Sequence, residues 1–216
     1  DFKIMWDNAY CVHHLTDTHD VILNMLEECR KVGHEDRALM FCSLSKVTFP
    51  GAGVAAMAAS RRNIDYILKN MFPMIISFDK LNQVRHIRFL KDMDGLAAHM
   101  EKHRALLEPK FRAVLAILDE GLSGCGSIAR WTKPNGGYFL SLYTLGGCAK
   151  RTVQLCREAG VVLTDAGAAY PYGVDPQDSN IRIAPTFPPL DELETASRLL
   201  CVCVRIATLE KLLQRQ

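Results

Sequence analysis

The first 43 residues contain two short apolar segments separated by one amphipathic segment, and this order limits the possible folds more than any other feature. Residues 2–6 and 38–42 are short and apolar, as expected of buried strands. Between them, the apolar residues of 21–29 recur at helical spacing and Gly33 supplies a stop. Strand, helix and strand in this order predict a βαβ unit, whose two parallel strands end at the same edge of a sheet.

The next segments are longer, and one of them is ambiguous. Residues 53–60 are rich in alanine, which favours a helix, yet Pro50, Gly51 and Gly53 could equally precede a new strand. Residues 61–71 carry apolar side chains at helical spacing. Residues 96–118 form one long apolar stripe interrupted by Pro109, which predicts a kinked helix linking two domains.

Beyond this helix the pattern changes to short alternating elements. Short strands are predicted at 128–131, 138–142, 161–163 and 181–183, a helix at 150–158, and a final helix that opens near Pro189. This order of elements therefore predicts an α/β fold with two domains. Residues 1–100 contribute to a mostly parallel sheet, and residues 101–216 form a small C-terminal α+β domain.

Charge and composition exclude several classes of function. Lys and Arg number 26 against 24 Asp and Glu, for a net charge of +2, so a dedicated nucleic-acid surface has no electrostatic support. The longest uncharged stretch, 47–60, is too short to span a bilayer. Eight cysteines without a C-x-x-C pair indicate small buried apolar residues in a reducing compartment, and we expect a cytoplasmic protein. They are Cys11, Cys29, Cys42, Cys125, Cys148, Cys156, Cys201 and Cys203.

Chemically useful side chains follow both strands of the βαβ unit. Asp7 and Tyr10 come after the first strand, and Ser43, Ser45 and Lys46 come after the second. Open α/β sheets bind ligands at this edge, so we expect these groups to converge. Each residue taken alone also has an ordinary structural explanation, as a turn cap, a packing residue or a solvated charge.

Taken together, the two segments resemble the cofactor site of fold type I pyridoxal-phosphate enzymes. The family's D-x-A-Y and S-x-S-K motifs match residues 7–10 and 43–46 in order and spacing. The resemblance continues through residues 49–51, 133–139 and 180–185 and covers essentially the whole chain. The chain is most similar to the aspartate-aminotransferase-like subgroup related to the MocR family. The resemblance implies that residues 1–100 are part of the cofactor-binding large domain.

This resemblance implies a role for each matching residue, with pyridoxal 5'-phosphate as the cofactor and no metal. Asp7 would pair with the pyridine nitrogen and Tyr10 with the ring's phenolic oxygen. Ser43 and Ser45 would offer hydroxyl groups to the phosphate. Lys46 would form the Schiff base and then act as a general base. Arg182 would bind the α-carboxylate of the substrate through two parallel hydrogen bonds.

The implied activity is that of an aminotransferase, which moves an amino group between an amino acid and a 2-oxo acid with ping-pong kinetics. The resemblance also implies a homodimer, and we expect this chain to be a C-terminal fragment that is inactive alone. Two alternatives stay open at this point. The same residues could serve other Cα or Cβ chemistry, such as that of a lyase, or a ligand-sensing domain of a MocR-type transcription regulator.

The sequence departs from the family at the phosphate. Related enzymes place an arginine shortly after the lysine, where this chain has Ala52, Gly53 and Val54. Arg61 and Arg62 are nearby in sequence, but a solvated helix face is the preferred interpretation of both. Arg85 or His86 of a partner subunit is another possible replacement.

Four further histidines have less specific explanations. His99 and His103 stand one helical turn apart, which suits a metal pair, but the sequence offers no third ligand nearby and we favour packing. His13 and His14 could line the rim of the site, although ordinary loop packing is the preferred interpretation.

Overall fold

The parallel pair of strands expected at the start of the chain is present. In the computed structural model, which describes residues 2–214, β1 (Ile4–Asp7) and β2 (Ala38–Ser43) run parallel, with Asp7 opposite Phe41. Helix α1 (Met25–Lys31) and a short 3-10 helix (Glu35–Arg37) connect them. The prediction of a βαβ unit is confirmed, and the residues that follow β1 and β2 lie at one edge of the sheet.

Helix α1 begins later than its apolar pattern indicates. The stripe was expected to start at Val21, but Val21 is 95% exposed and the helix starts at Met25. Asn24 caps the helix, because its side chain accepts a hydrogen bond from the backbone N–H of Glu27. A capping side chain satisfies an otherwise unpaired N–H group, so it determines the first turn more strongly than apolar spacing does.

The alanine-rich segment is a strand. β3 (Ala55–Ala59) pairs antiparallel with β2, so the sheet has the order β1-β2-β3. Leu39 stands opposite Ala59 and Ser43 opposite Ala55. Alanine favours helices in isolation, but here the hydrogen-bonded ladder to β2 outweighs that preference.

Two capped helices follow the sheet, and a long third helix continues the chain. Helix α2 (Arg61–Met71) has the predicted limits and is capped by Ser60. Helix α3 (Lys80–Leu90) is capped by Asp79. Helix α4 (Met93–Leu122) contains Pro109 and extends past both ends of the predicted segment.

The chain divides into two compact units, and the boundary falls inside α4, between His103 and Arg104. In the second unit, β4 (Ala129–Trp131), β5 (Leu140–Thr144) and β6 (Asn180–Ile183) form an antiparallel sheet in the order β4-β5-β6. Helix α5 (Ala149–Glu158) and helix α6 (Leu190–Leu213) complete this unit. Pro189 is the residue before α6 and not part of its first turn.

The core of the second unit is rich in thiols. Cys156 lies on α5 and Cys201 and Cys203 lie on α6, and all three are buried. The Cys201 thiol contacts the carbonyl of Ile117 on α4 at 3.6 Å. A Cβ atom at Gly121 would lie 2.8 Å from the Cys201 sulfur, so this glycine allows α4 and α6 to approach closely. Within residues 2–214, none of the eight cysteines forms a disulfide, five are buried, and Cys42 is exposed.

The strand predicted at residues 161–163 is absent, and the prediction was wrong. The N–H of Val161 bonds to the carbonyl of Cys156, and the N–H of Gly160 bonds to that of Arg157. These bonds close the end of α5, with Gly160 at φ +91°. The backbone of Val161 is therefore used in a helix C-cap and not in a sheet. The segment lines a cavity of ≈ 550 Å³ together with residues of β6 and α6.

Within residues 2–214, no helix is both long enough and apolar enough to cross a membrane.

Candidate cofactor site

Asp7 is the last residue of β1 and faces the sheet edge that the sequence predicts for the site. Its Oδ1 atom accepts a hydrogen bond of 2.9 Å from the backbone N–H of Ala9. The N–H of Asn8 bonds to the carbonyl of Phe41 at 2.8 Å, which holds the chain against β2 beyond the strand. The loop is closed further by the N–H of His13, which donates to the carbonyl of Tyr10. The carboxylate and the phenol therefore belong to one short, hydrogen-bonded loop.

Ser43 and Ser45 face each other at the end of β2. Their Oγ atoms are 2.9 Å apart, and the N–H of Ser45 donates to Oγ of Ser43 at 3.1 Å. The pair has two hydroxyl hydrogens, and one of them lies in the bond between the two oxygens. The other has no acceptor among residues 2–214. The pair can therefore donate one further hydrogen bond to an anion.

Because Gly53 has no side chain, Ser45 can pack directly against it. A Cβ atom at Gly53 would lie 2.8 Å from Oγ of Ser45 and 3.0 Å from its backbone nitrogen. The neighbouring Val54 carbonyl accepts from the N–H of Leu44 at 2.8 Å, so the two segments are held together. A side chain at position 53 would displace the serine pair.

Lys46 lies in a tight turn after β2. The carbonyl of Leu44 accepts from the N–H groups of Val47 and Thr48 at 3.0 and 2.9 Å. Val47 is buried with 1% of its surface exposed, whereas Lys46 is exposed. Burial of Val47 anchors the turn, and the neighbouring lysine is directed away from the core.

Three histidines contact this turn, and sequence reasoning did not connect them with Lys46. His13 contacts the carbonyl of Lys46, His99 contacts the carbonyl of Val47, and His86 contacts the hydroxyl of Thr48. Each partner is 33 to 52 residues away in sequence. No local pattern could have revealed these contacts.

The same geometry corrects the suggestion that His86 of one subunit contacts the cofactor phosphate of another. His86 is 8% exposed, and both ring nitrogens contact groups of its own chain. It cannot also reach a phosphate in a neighbouring subunit.

Burial changes the titration of two histidines near the turn. Burial lowers the pKa of His13, and hydrogen bonds to the carbonyls of Lys46 and Tyr10 offset this in part. Burial lowers the pKa of His103 as well, the neighbouring His99 and His13 lower it further, and a hydrogen bond to the backbone of Val47 offsets this in part. Both side chains therefore favour the neutral form.

No group of three potential metal ligands is gathered anywhere within residues 2–214.

Arg182 lies in the second unit, on β6, opposite Ser141 of β5. Its guanidinium carbon is 4.8 Å from the centre of the Phe139 ring. Its Nε atom is buried, and among residues 2–214 it has no hydrogen-bond partner. The side chain forms no ion pair with any carboxylate of the described residues, which argues against the alternative of a structural salt bridge.

The order of these groups along the chain is that of a known family. The sequence profile described as aspartate amino-transferase matches residues 1–216. The chain belongs to the aspartate aminotransferase family. The predicted family is thereby confirmed at this level.

Individual members of the family are similar over the full chain. An aspartate aminotransferase of Corynebacterium glutamicum is 42% identical over 210 residues, which are 97% of this chain and 48% of that protein. The crystal structure of an aspartate transaminase from Corynebacterium glutamicum superposes with a TM-score of 0.94 at 42% identity, covering 98% of this chain and 50% of that one. The chain spans about half the length of these relatives.

A more distant structure shares the fold. The α-aminoadipate aminotransferase LysN of Thermus thermophilus, crystallised with N-(5'-phosphopyridoxyl)-L-leucine, superposes with a TM-score of 0.75 at 20% identity. The match covers 95% of this chain and 51% of LysN. The predicted fold class, α/β with part of a large domain and a smaller C-terminal α+β domain, is confirmed.

Proposed function

We propose that the protein is a pyridoxal-phosphate-dependent aminotransferase that moves an amino group from an amino acid to a 2-oxo acid. One observation carries the proposal. In a chain of the aspartate aminotransferase family, the Asp7–Tyr10 loop and the Ser43–Lys46 turn follow two adjacent parallel strands at the same sheet edge. Within the family, the same motifs support a place in the subgroup related to MocR proteins, and a homodimer of the intact protein.

The groups at this edge fit pyridoxal phosphate chemically. A carboxylate suits a protonated pyridine nitrogen, and a serine pair with one hydrogen left to donate suits a phosphate oxygen. Gly53 leaves room for Ser45 to take its place in that pair. An exposed lysine supplies the amine. We propose Asp7, Tyr10, Ser43, Ser45 and Lys46 as the residues that hold the cofactor.

Bound there, the cofactor supplies an electron sink for the electron pair left at the substrate Cα when a proton is removed. Asp7 would stabilise the proton on the pyridine nitrogen through a charge-assisted hydrogen bond. Lys46, with a neutral Nζ, would take the proton from Cα. Tyr10 would donate its phenolic hydrogen to an oxygen of the ring. These three are the proposed catalytic residues.

Arg182 is the proposed binding residue for the substrate α-carboxylate. A guanidinium group offers two parallel N–H donors, which match the two oxygens of a carboxylate. The planar contact fixes the orientation of the bond to be broken. The absence of an acidic partner among residues 2–214 supports a binding role over a structural one.

The central test is chemical labelling of the lysine in the intact protein that carries this sequence. We expect borohydride reduction in the presence of pyridoxal phosphate to attach the cofactor to Lys46, as located by peptide mapping. Lys46→Ala is expected to abolish both the label and amino-group transfer. Lys69→Ala is the control, because Lys69 is an exposed lysine of α2. A label on another lysine, or full activity of Lys46→Ala, contradicts the proposed function.

A further inference from the structure

The backbone immediately after the proposed catalytic lysine is held by imidazole rings from two separate elements. Nε2 of His13, in the loop after β1, lies 3.1 Å from the carbonyl oxygen of Lys46. Nε2 of His99, on α4, lies 2.8 Å from the carbonyl oxygen of Val47. A carbonyl oxygen only accepts, so both Nε2 atoms must carry the hydrogen and donate it. The two consecutive peptide groups that flank Val47 are therefore fixed from two sides.

A third histidine holds the next residue. Nε2 of His86, on α3, lies 2.7 Å from Oγ1 of Thr48, and its Nδ1 lies 2.9 Å from the carbonyl of Asn82. Oγ1 of Thr48 also lies 3.1 Å from the carbonyl of Leu44. Three elements therefore converge on residues 46–48 through histidine side chains.

The histidines also contact each other and a proposed cofactor residue. The ring of His103 is 4.8 Å from that of His99 and 6.5 Å from that of His13, measured between centroids in edge-to-face geometry. The ring of His13 is 5.4 Å from that of Tyr10. His13 is 3% exposed and His86 is 8% exposed. Close packing of this kind restricts each ring to one orientation.

A metal centre does not explain the arrangement. The Nε2 atoms of His13 and His99 donate hydrogens to carbonyl groups, so neither atom offers a lone pair to a cation. The contacts converge on the lysine turn and not on an empty point between the rings.

We propose that His13 and His99 are positioning residues for Lys46, which they act on through the carbonyl groups of Lys46 and Val47. The inference rests on the proposed function of Lys46. A lysine that must form a covalent bond and then remove a proton from a fixed carbon depends on the placement of its own Cα. The bond from His13 orients the peptide group that follows the Lys46 Cα, and the bond from His99 orients the next peptide group, so together they fix that placement. Donation from Nε2, and not the charge or aromaticity of the ring, is the property that matters.

The test is a set of graded substitutions in the intact protein supplied with pyridoxal phosphate. Glutamine places an amide N–H close to where Nε2 lies, asparagine is one methylene too short, and leucine has no donor. We expect His99→Leu and His13→Leu to lower kcat about tenfold or more, with KM for the amino acid within about threefold of the parent. The glutamine variants should stay within about threefold of the parent in kcat, and the asparagine variants should resemble the leucine variants.

Control variants separate this proposal from others. His34 is exposed and precedes β2, at the opposite end of the strand from Lys46, so His34→Leu and His34→Gln should match the parent. If a leucine variant does not fold, as judged by thermal unfolding, the comparison of glutamine with asparagine decides. Equal kcat in those two variants, or leucine variants that behave like His34→Leu, would overturn the positioning role. Lys46→Ala tests the underlying function separately, because full activity in that variant would remove the role of Lys46 itself.

Discussion

At the residue scale, the surroundings of Arg182 do not account for its charged side chain. Buried guanidinium nitrogens usually donate hydrogen bonds, because an unpaired buried polar group is costly. Nε of Arg182 is buried without a partner among residues 2–214, and the group stacks near Phe139. No carboxylate of residues 2–214 pairs with this guanidinium group, so its charge is available to a carboxylate from outside the described residues.

We predict that Arg182→Lys weakens binding of the amino acid and leaves cofactor affinity unchanged. Lysine keeps the charge but cannot form two parallel hydrogen bonds in one plane. The loss should be about 2 kcal/mol, as for the loss of a charged hydrogen bond, which corresponds to about thirtyfold in Kd. Calorimetric titration of the intact protein with amino acid and with pyridoxal phosphate measures both affinities.

Arg130→Lys is the matched control for this experiment. Arg130 lies in the same sheet, on β4, with its guanidinium carbon 3.8 Å from the centre of the Tyr143 ring, and it is exposed. If both lysine variants bind the amino acid as the parent does, Arg182 is not the carboxylate-binding residue.

At the scale of elements, the hairpin between β2 and β3 carries the serine pair, and Gly53 is its most constrained position. We predict that Gly53→Ala weakens binding of pyridoxal phosphate by about tenfold or more, because overpacking costs about 1–3 kcal/mol and the displaced atom is a proposed phosphate ligand. Gly124→Ala is the control, since a Cβ atom there would meet nothing within 4 Å. Equal affinity for the cofactor in the two alanine variants would show that Ser45 does not bind the phosphate.

The elements that could be predicted from the sequence are those whose signals are local. Helix α2 has the predicted limits, because Ser60 caps it and its apolar spacing is unambiguous. The strand at 55–59 could not be chosen over a helix, because its ladder with β2 depends on a tertiary contact. The wrong strand at 161–163 fails for a related reason, since apolar residues alone do not reveal that Val161 bonds to α5.

The candidate site likewise has residues that local sequence predicts and residues that only tertiary contacts place. Asp7, Tyr10, Ser43, Ser45 and Lys46 stand at strand ends that a βαβ pattern predicts, so their convergence at one sheet edge follows from local sequence. The contacts of His13 and His99 with the lysine turn span 33 and 52 residues, and they depend on how the loop after β1 and α4 pack within the first unit. Spacing along the chain contains no information about such contacts.

At the scale of the whole molecule, this chain exposes apolar surface that globular proteins usually cover. Phe72, Met74 and Ile76, between α2 and α3, are 68%, 80% and 85% exposed. Strand β1 stands at the end of the strand order β1-β2-β3, and Met5 on it is 74% exposed. An edge strand of this kind pairs readily with other chains.

We predict that the 216-residue chain alone self-associates, binds pyridoxal phosphate weakly and has little transaminase activity. The chain spans about half the length of its relatives, and positions 52–54 offer no cation to a phosphate that carries close to two negative charges. Sedimentation and spectroscopic titration with pyridoxal phosphate measure the first two properties. A monomer with tight cofactor binding and turnover would contradict this picture of the phosphate site.

The buried thiols of the second unit make the lifetime of the folded protein depend on the oxidants around it. Burial raises the pKa of Cys156 to about 12, with a further contribution from the neighbouring Cys203, and raises that of Cys201 to about 11. Thiolate is the form that oxidants attack, so the folded core protects these sulfur atoms. Once the unit opens, an oxidised sulfur carries polar oxygen atoms that the apolar core cannot solvate, and refolding is blocked. Oxidation of these three sulfur atoms therefore requires the unit to open first, whereas the exposed Cys42 can react in the folded protein, and an oxidising environment would trap chains that have opened.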